Sequence, residues 1–208
     1  MNHLLPPIKD MTLADIPPSV GLLPLKRALL LPQGQLPLGI FDQEAASSLL
    51  APLLKTRLIG IIQPSLDETE GEFEKVGTIG RLTSFRELPD GKLTLSLTGI
   101  CRFHLLSTSI LQDGGQEGKI DPSAFGGDFI SAILPSIDRK LIKTGLKNWL
   151  EKHHLGANWE SISLLSNEAL LTTLPMLLPF EAIHQQALLE APTLEERAQI
   201  FLDILTRG

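Results

Sequence analysis

The sequence changes character near Asp113, and that change confines the chain to folds in which strands and helices are segregated. Asp113-Gly114-Gly115-Gln116-Glu117-Gly118 has glycine turn chemistry and no apolar periodicity. Before it the pattern is mostly that of strands, and after it mostly that of helices. Leu93, Leu95 and Leu97 alternate strictly with Thr94, Ser96 and Thr98, which gives one apolar and one polar face. Pro89-Asp90-Gly91 separates this run from Val76 to Glu87; proline presets φ and glycine can take positive φ, so a hairpin is predicted. Gly99 to Ser107 reads as a further strand, with Cys101, Phe103 and Leu105 pointing one way and Arg102 and a solvent-facing His104 the other. Val20 to Leu25 and Gln35 to Ile40 read as short strands. Leu58 to Gln63 is apolar at consecutive positions, which marks a strand covered on both faces. Asp42 can cap a helix running to about Leu54, and Asp67 to Glu72 forms an exposed acidic loop.

Beyond the change, Phe125 to Leu134 and Ser136 to Glu151 are expected to be helical, with Ile142, Leu146, Trp149 and Leu150 on one face and Gly156 ending the run. Ser166 caps a segment that ends near Leu178, and Pro179 suits the first turn of the next. After Pro192, Thr193 and Glu196 form a T-x-x-E capping box, with Leu194, Phe201 and Leu205 lining one face of the helix that follows. The expected organisation is an extended, partly disordered arm over 1–18, a β-rich subdomain over 19–112, a glycine-rich linker over 113–124 and a helical bundle over 125–208. The fold class is therefore α+β.

Composition narrows the function. A chain of 208 residues, 43% hydrophobic and 20% charged, can bury a core without disulfides or metals. The net charge of −6, with Lys and Arg dispersed, argues against a nucleic-acid partner. Cys101 is the single cysteine, so no internal disulfide or CxxC motif exists and a reducing compartment is expected. Pro6, Pro7, Pro17 and Pro18 interrupt any leader, while Pro175 and Pro179 break the most apolar segment, so neither a signal peptide nor a membrane span is expected. A soluble, cytoplasmic protein follows.

Catalytic motifs are missing. Gly91-Lys92 lacks the upstream glycine of a P-loop, and no G-x-S-x-G occurs. Gly77-Thr78-Ile79-Gly80 does not complete a dinucleotide fingerprint and is read as a bulge or a close approach of chains. Cys101 and His104, three apart on a strand, face opposite ways and form no dyad, which leaves Cys101 as a small buried hydrophobe. His153 and His154 diverge by about 100° on a helix and have no partner at zinc-binding spacing, so they are assigned to the helix end. Glu68, Glu70, Glu72 and Glu74 lack the order of a calcium loop. No catalytic, cofactor-binding or metal-ligating residue is assigned, and no residue is assigned to a peptide-binding surface.

The strand half does carry a specific likeness. Leu23-Pro24-Leu25, Leu29-Leu30-Leu31-Pro32 and Leu36-Pro37-Leu38-Gly39-Ile40-Phe41 occur in that order. Leu58-Ile59-Gly60, Val76-Gly77-Thr78-Ile79-Gly80-Arg81, Leu88-Pro89-Asp90-Gly91-Lys92 and Leu97-Thr98-Gly99-Ile100-Cys101-Arg102-Phe103 follow. Gln185-Gln186-Ala187-Leu188-Leu189-Glu190 and Leu194-Glu195-Glu196-Arg197 complete the series. Together they resemble the amino-terminal substrate-binding domain of Lon-type ATP-dependent proteases, over residues about 20 to 206. The resemblance implies a PUA-like open β-barrel followed by a helical bundle. It further implies a non-catalytic module that recognises unfolded or tagged polypeptides, acting as a proteolysis adaptor or with a protease complex; no protease or ATPase residue can be carried over. Asp42-Gln43-Glu44-Ala45 replaces the family's Glu-Pro-Arg-Tyr-like continuation, and no tyrosine precedes Asp121-Pro122, which implies a different groove specificity. Leu174, Leu177, Leu178 and Phe180 are the candidates for apolar surface in excess of the core. RNA binding is the alternative, since PUA-like barrels also bind RNA; the acidic charge and the 5% aromatic content without tyrosine oppose it.

Overall fold

The computed structural model describes residues 5–40, 56–67, 71–87, 93–112, 114–130 and 137–207. The helix expected after Asp42, the Pro89-Asp90-Gly91 turn and part of the acidic loop lie outside them. Strands β1 (Ser19–Pro24), β2 (Gln35–Ile40), β3 (Leu58–Ile62), β4 (Val76–Glu87), β5 (Leu93–Ile110) and β6 (Gln116–Asp121) form one sheet in the order β2-β5-β4-β3-β1-β6. β1 and β3 run parallel, and the other paired strands run antiparallel.

Every residue of β3 is buried, as its unbroken apolar run requires. With a two-residue repeat, Leu58 and Ile62 join Val20, Leu22, Ile79, Cys101 and Phe103 on one face, while Ile59 and Ile61 join Leu30, Leu82, Leu95 and Leu97 on the other. The two strands expected over 92–107 are one continuous strand, β5, whose Leu95 and Leu97 sides are buried as the alternation demands. The glycine pair of β4 has both anticipated roles. Gly80 borders a break in register, and Gly77 lies beneath the ring of Phe103.

Two boundaries are corrected. Within the region expected to be a linker, Gln116–Asp121 is a strand that bonds on both edges, to β1 and to the second half of β5. Gly118 and Ile120 turn inward there and Lys119 outward, so the glycine reflects crowding by Leu22 and Leu105 rather than looseness. Residues 5–18 of the arm are likewise packed. They form turns of 3-10 helix at Ile8–Asp10 and Leu13–Asp15, the second closed by reciprocal Thr12 and Asp15 hydrogen bonds. Met11 and Ile16 are buried in the sheet's core, and the Arg81 guanidinium donates to the carbonyls of Leu5 and Pro6. The prolines hold the arm extended, and the two apolar anchors fix it.

The helical half comprises α1 (Arg139–Lys152), α2 (Trp159–Leu164), α3 (Asn167–Leu177), α4 (Ala182–Glu190) and α5 (Leu194–Arg207). Asp138, Asn158 and Ser166 cap α1, α2 and α3 through their side-chain oxygens, and the Thr193–Glu196 box opens α5. The expected face of α1 packs against Leu170, Leu171, Leu174 and Leu188, with Trp149, Phe180 and Phe201 meeting edge to face. Gly156 does not end α1. His154 takes the left-handed position at φ 54, and the N–H groups of His154 and Leu155 donate back to Glu151 and Leu150, so the helix ends at Lys152. Ser123–Phe129 is 3-10 rather than α-helical, and 131–136 lie outside the described residues. Pro179 precedes α4 rather than opening it.

Candidate functional site

A broad apolar hollow lies in the helical half. Leu150 of α1, Leu155 after it, Ile162 and Leu165 at α2, and Leu174 and Leu177 of α3 line a groove of about 630 Å³. That size falls within the range of ligand pockets, roughly 300–1,000 Å³. After the Schellman turn at His154, Leu155 forms part of the groove's wall. Leu155 is 42% exposed and Leu177 71%, so large apolar side chains border the groove. Of the four residues nominated from sequence for surplus apolar surface, only Leu177 fits; Leu174, Leu178 and Phe180 are at most 8% exposed.

Another cavity, of about 370 Å³ and mixed polar and apolar lining, lies where sheet and helices join, with Arg102, Asp128, Thr172 and Arg197 in its wall. Arg102 projects from β5 on the side opposite Cys101, but it does not reach solvent. Its Nε and Nη2 donate to Asp128 at 3.0 and 2.8 Å, and its Nη1 donates to the carbonyls of Leu189 and Ala191. Its guanidinium also stands 4.7 Å from the centre of the Phe125 ring. Arg197 donates from Nε to the carbonyl of Leu188. The two arginines thus satisfy carbonyls at the carboxyl end of α4, the end that favours positive charge. Burial, and then the proximity of Arg102, lower the Arg197 guanidinium from its usual value to about 10. Three glutamines add to the joint: Gln63, Gln185 and Gln186 donate amides to the carbonyls of Ala182, Arg27 and Val76.

Cys101, His104 and His153, singled out by sequence, pack against the protein's own side chains. Cys101 is fully buried and its thiol is pushed up to about 12, chiefly by burial and then by Asp128. At pH 8 that leaves roughly one thiolate in ten thousand. Native protein should therefore resist iodoacetamide at pH 8 and take up one equivalent in guanidinium chloride; rapid native labelling, read by mass spectrometry, would contradict this burial. His104 is half-buried against Phe125, at 4.9 Å between ring centres, not solvent-facing, because the Ser123–Phe129 turn covers that face of β5. His153 stacks on Trp149 at 3.8 Å and shares a hydrogen bond with its carbonyl.

Sequence reasoning missed the Arg102–Asp128–Arg197 group and the groove. One signal was available: Arg197 occupies the face of α5 shared by Leu194, Phe201 and Leu205, where helical spacing calls for an apolar side chain.

The profile of the ATP-dependent protease La (LON) substrate-binding domain matches residues 19–207. The chain belongs to this Lon substrate-binding domain family. The fold agrees with two solved Lon domains. The Lon N-terminal domain protein from Xanthomonas campestris superposes with a TM-score of 0.58 at 21% identity, covering 88% of this chain and 96% of that one. The N-terminal domain of Mycobacterium avium complex Lon protease gives 0.60 at 17% identity, covering 91% and 98%. A Lon protease of Flavobacterium johnsoniae is 25% identical over 101 residues, which are 47% of this chain and 12% of that protein. The chain thus spans a small part of the full Lon protease it matches. The Lon-type α+β architecture, a six-stranded sheet followed by helices, is the one this chain adopts. Among the described residues, no helix is long and apolar enough to cross a membrane.

Proposed function

We propose that this Lon-family domain is a non-catalytic, cytoplasmic module that recognises unfolded polypeptide through the groove between α1, α2 and α3, and that it serves as a proteolysis adaptor. The groove carries the reading: it combines about 630 Å³ of space with an apolar wall and an exposed apolar rim. Burying a client's apolar side chain there contributes about 1.5–3 kcal/mol for each residue covered. Membership of a substrate-binding family supports the same reading. RNA is the weaker alternative, because the net charge is −6 and the rim is apolar.

Leu177 offers the test. At 71% exposed it can become aspartate without disturbing the core. Binding of fluorescein-labelled, reduced and carboxymethylated α-lactalbumin, followed by anisotropy, should weaken by about tenfold in Leu177→Asp, the loss of roughly one covered leucine. Unchanged binding, with the circular dichroism spectrum intact, would remove the groove from the reading.

A further inference from the structure

The cavity where sheet and helices join contains a buried charge without an ion pair of its own: Asp128 attracts Arg197, but its carboxylate is bonded to Arg102. Arg102 is matched by Asp128, which accepts two of its side-chain bonds and its backbone N–H. Arg197 is not matched. It is 5% exposed, its Nε is bound to the carbonyl of Leu188, and its terminal nitrogens, with no hydrogen-bond or ion-pair partner among the described residues, border the open space of the cavity. Buried guanidiniums ordinarily have their donors filled, because an unpaired buried charge is strongly unfavourable. Arg197 also sits in the first turn of α5, where the helix dipole opposes a cation and the amides of Leu194 and Glu195 have no acceptor within the helix. Leu194 and Glu195 both line the cavity. A cation and a free helix amino end converge on one space, an arrangement that an anion would complete.

The remaining charges in the wall restrict which anion. Half-buried Glu168 and exposed Glu195 border the cavity, and neither lies within ion-pair distance of Arg197. They disfavour a multiply charged group such as a phosphate. A singly charged, planar group suits the two parallel donors of a guanidinium fork. Beside the fork, Pro32, Leu194 and the 68% exposed Ile130 give an apolar wall for the side chain next to that group. We propose that this cavity binds a carboxylate, and that the carboxylate is the carboxyl terminus of a polypeptide client held by the terminal nitrogens of Arg197. The choice of a polypeptide as its source rests on the function proposed above.

The test uses the full chain and the fluorescein-labelled pentapeptide Gly-Ser-Gly-Ala-Leu, once as the free acid and once as the carboxyl amide. The acid should bind at least about tenfold tighter than the amide, as expected for a charge-assisted pair. Arg197→Met should abolish that preference and Arg197→Lys should keep part of it. Equal or absent binding of both peptides to the wild type overturns the proposal, and so does a preference that persists in Arg197→Met. Should Arg197→Met not fold, the Nε–Hε NMR signal of wild-type Arg197 decides: displacement by the acid but not the amide supports the site, and an unmoved signal refutes it. Acetate at constant ionic strength separates the sources. A signal moved by acetate but not by the acid peptide makes this a small-acid site and sinks the terminal-carboxylate assignment. Equal binding of acid and amide by the wild-type chain with α-lactalbumin binding intact removes this proposal alone, whereas wild-type affinity in Leu177→Asp removes the groove alone.

Discussion

Replacing Asp128 with alanine should lower the stability of the fold by about 3–5 kcal/mol, the usual consequence of removing one partner from a buried ion pair. The side chains of Arg102 and Asp128 are only 6% and 8% exposed, and the carboxylate accepts three bonds from Arg102. Without it, two guanidiniums would share one largely buried space with no carboxylate in ion-pair contact with either. Urea denaturation should show the midpoint falling by roughly 1–3 M with little change in slope. The double substitution Arg102→Met with Asp128→Leu should recover most of that loss, because removing both charges removes the desolvation cost as well. A single Asp128→Ala effect below about 1 kcal/mol would mean that water reaches the pair and screens it.

Gly99→Ala should cost about 3 kcal/mol, the upper part of the range for overpacking. A methyl group at Gly99 would run into the carbonyl of Leu31, with Leu30 close behind, and neither can withdraw. Leu30 and Leu31 are 1% and 0% exposed, and they fill different cores. The backbone is pinned as well: Gly99 N–H donates to Gly34 at 2.9 Å and Gln33 N–H donates to Gly99 at 2.8 Å. In a thermal melt the variant should unfold roughly 6–12 °C lower. Gly127→Ala is the control, because nothing lies within 4 Å of the position a Cβ would take. It should change stability by no more than about 0.5 kcal/mol.

The features that sequence reasoning anticipated are those whose cause lies within a few residues. The Thr193–Glu196 box is complete within one turn, and the all-apolar run of β3 states its own two-sided burial. The family likeness extended that reading to the whole fold. What it missed depends on distant partners. Arg102 and His104 looked like the wet face of a strand, since nothing nearby in sequence indicates that the Asp128 turn and α4 cover them. β6 was hidden because it follows directly on Gly114-Gly115, turn chemistry shared by loose linkers, and only Leu22 and Leu105 show why a side chain is excluded at Gly118. Within α3, Leu174 and Leu177 are equivalent in composition. Their exposures of 5% and 71% are decided by where α1 and α2 come to rest.

The joint between the halves has a peculiarity of chemistry. Gln63, Gln185, Gln186, Arg102 and Arg197 all reach across to, or brace, main-chain carbonyls: those of Ala182, Arg27, Val76, Leu188, Leu189 and Ala191. A carbonyl is present whichever amino acid carries it. The docking therefore specifies five side chains and leaves the identity of the residues they grasp to other demands. Over evolutionary drift the grasping positions should resist replacement as a set, while Arg27 and Ala182, held only through their backbone here, stay free to vary without the halves losing their alignment.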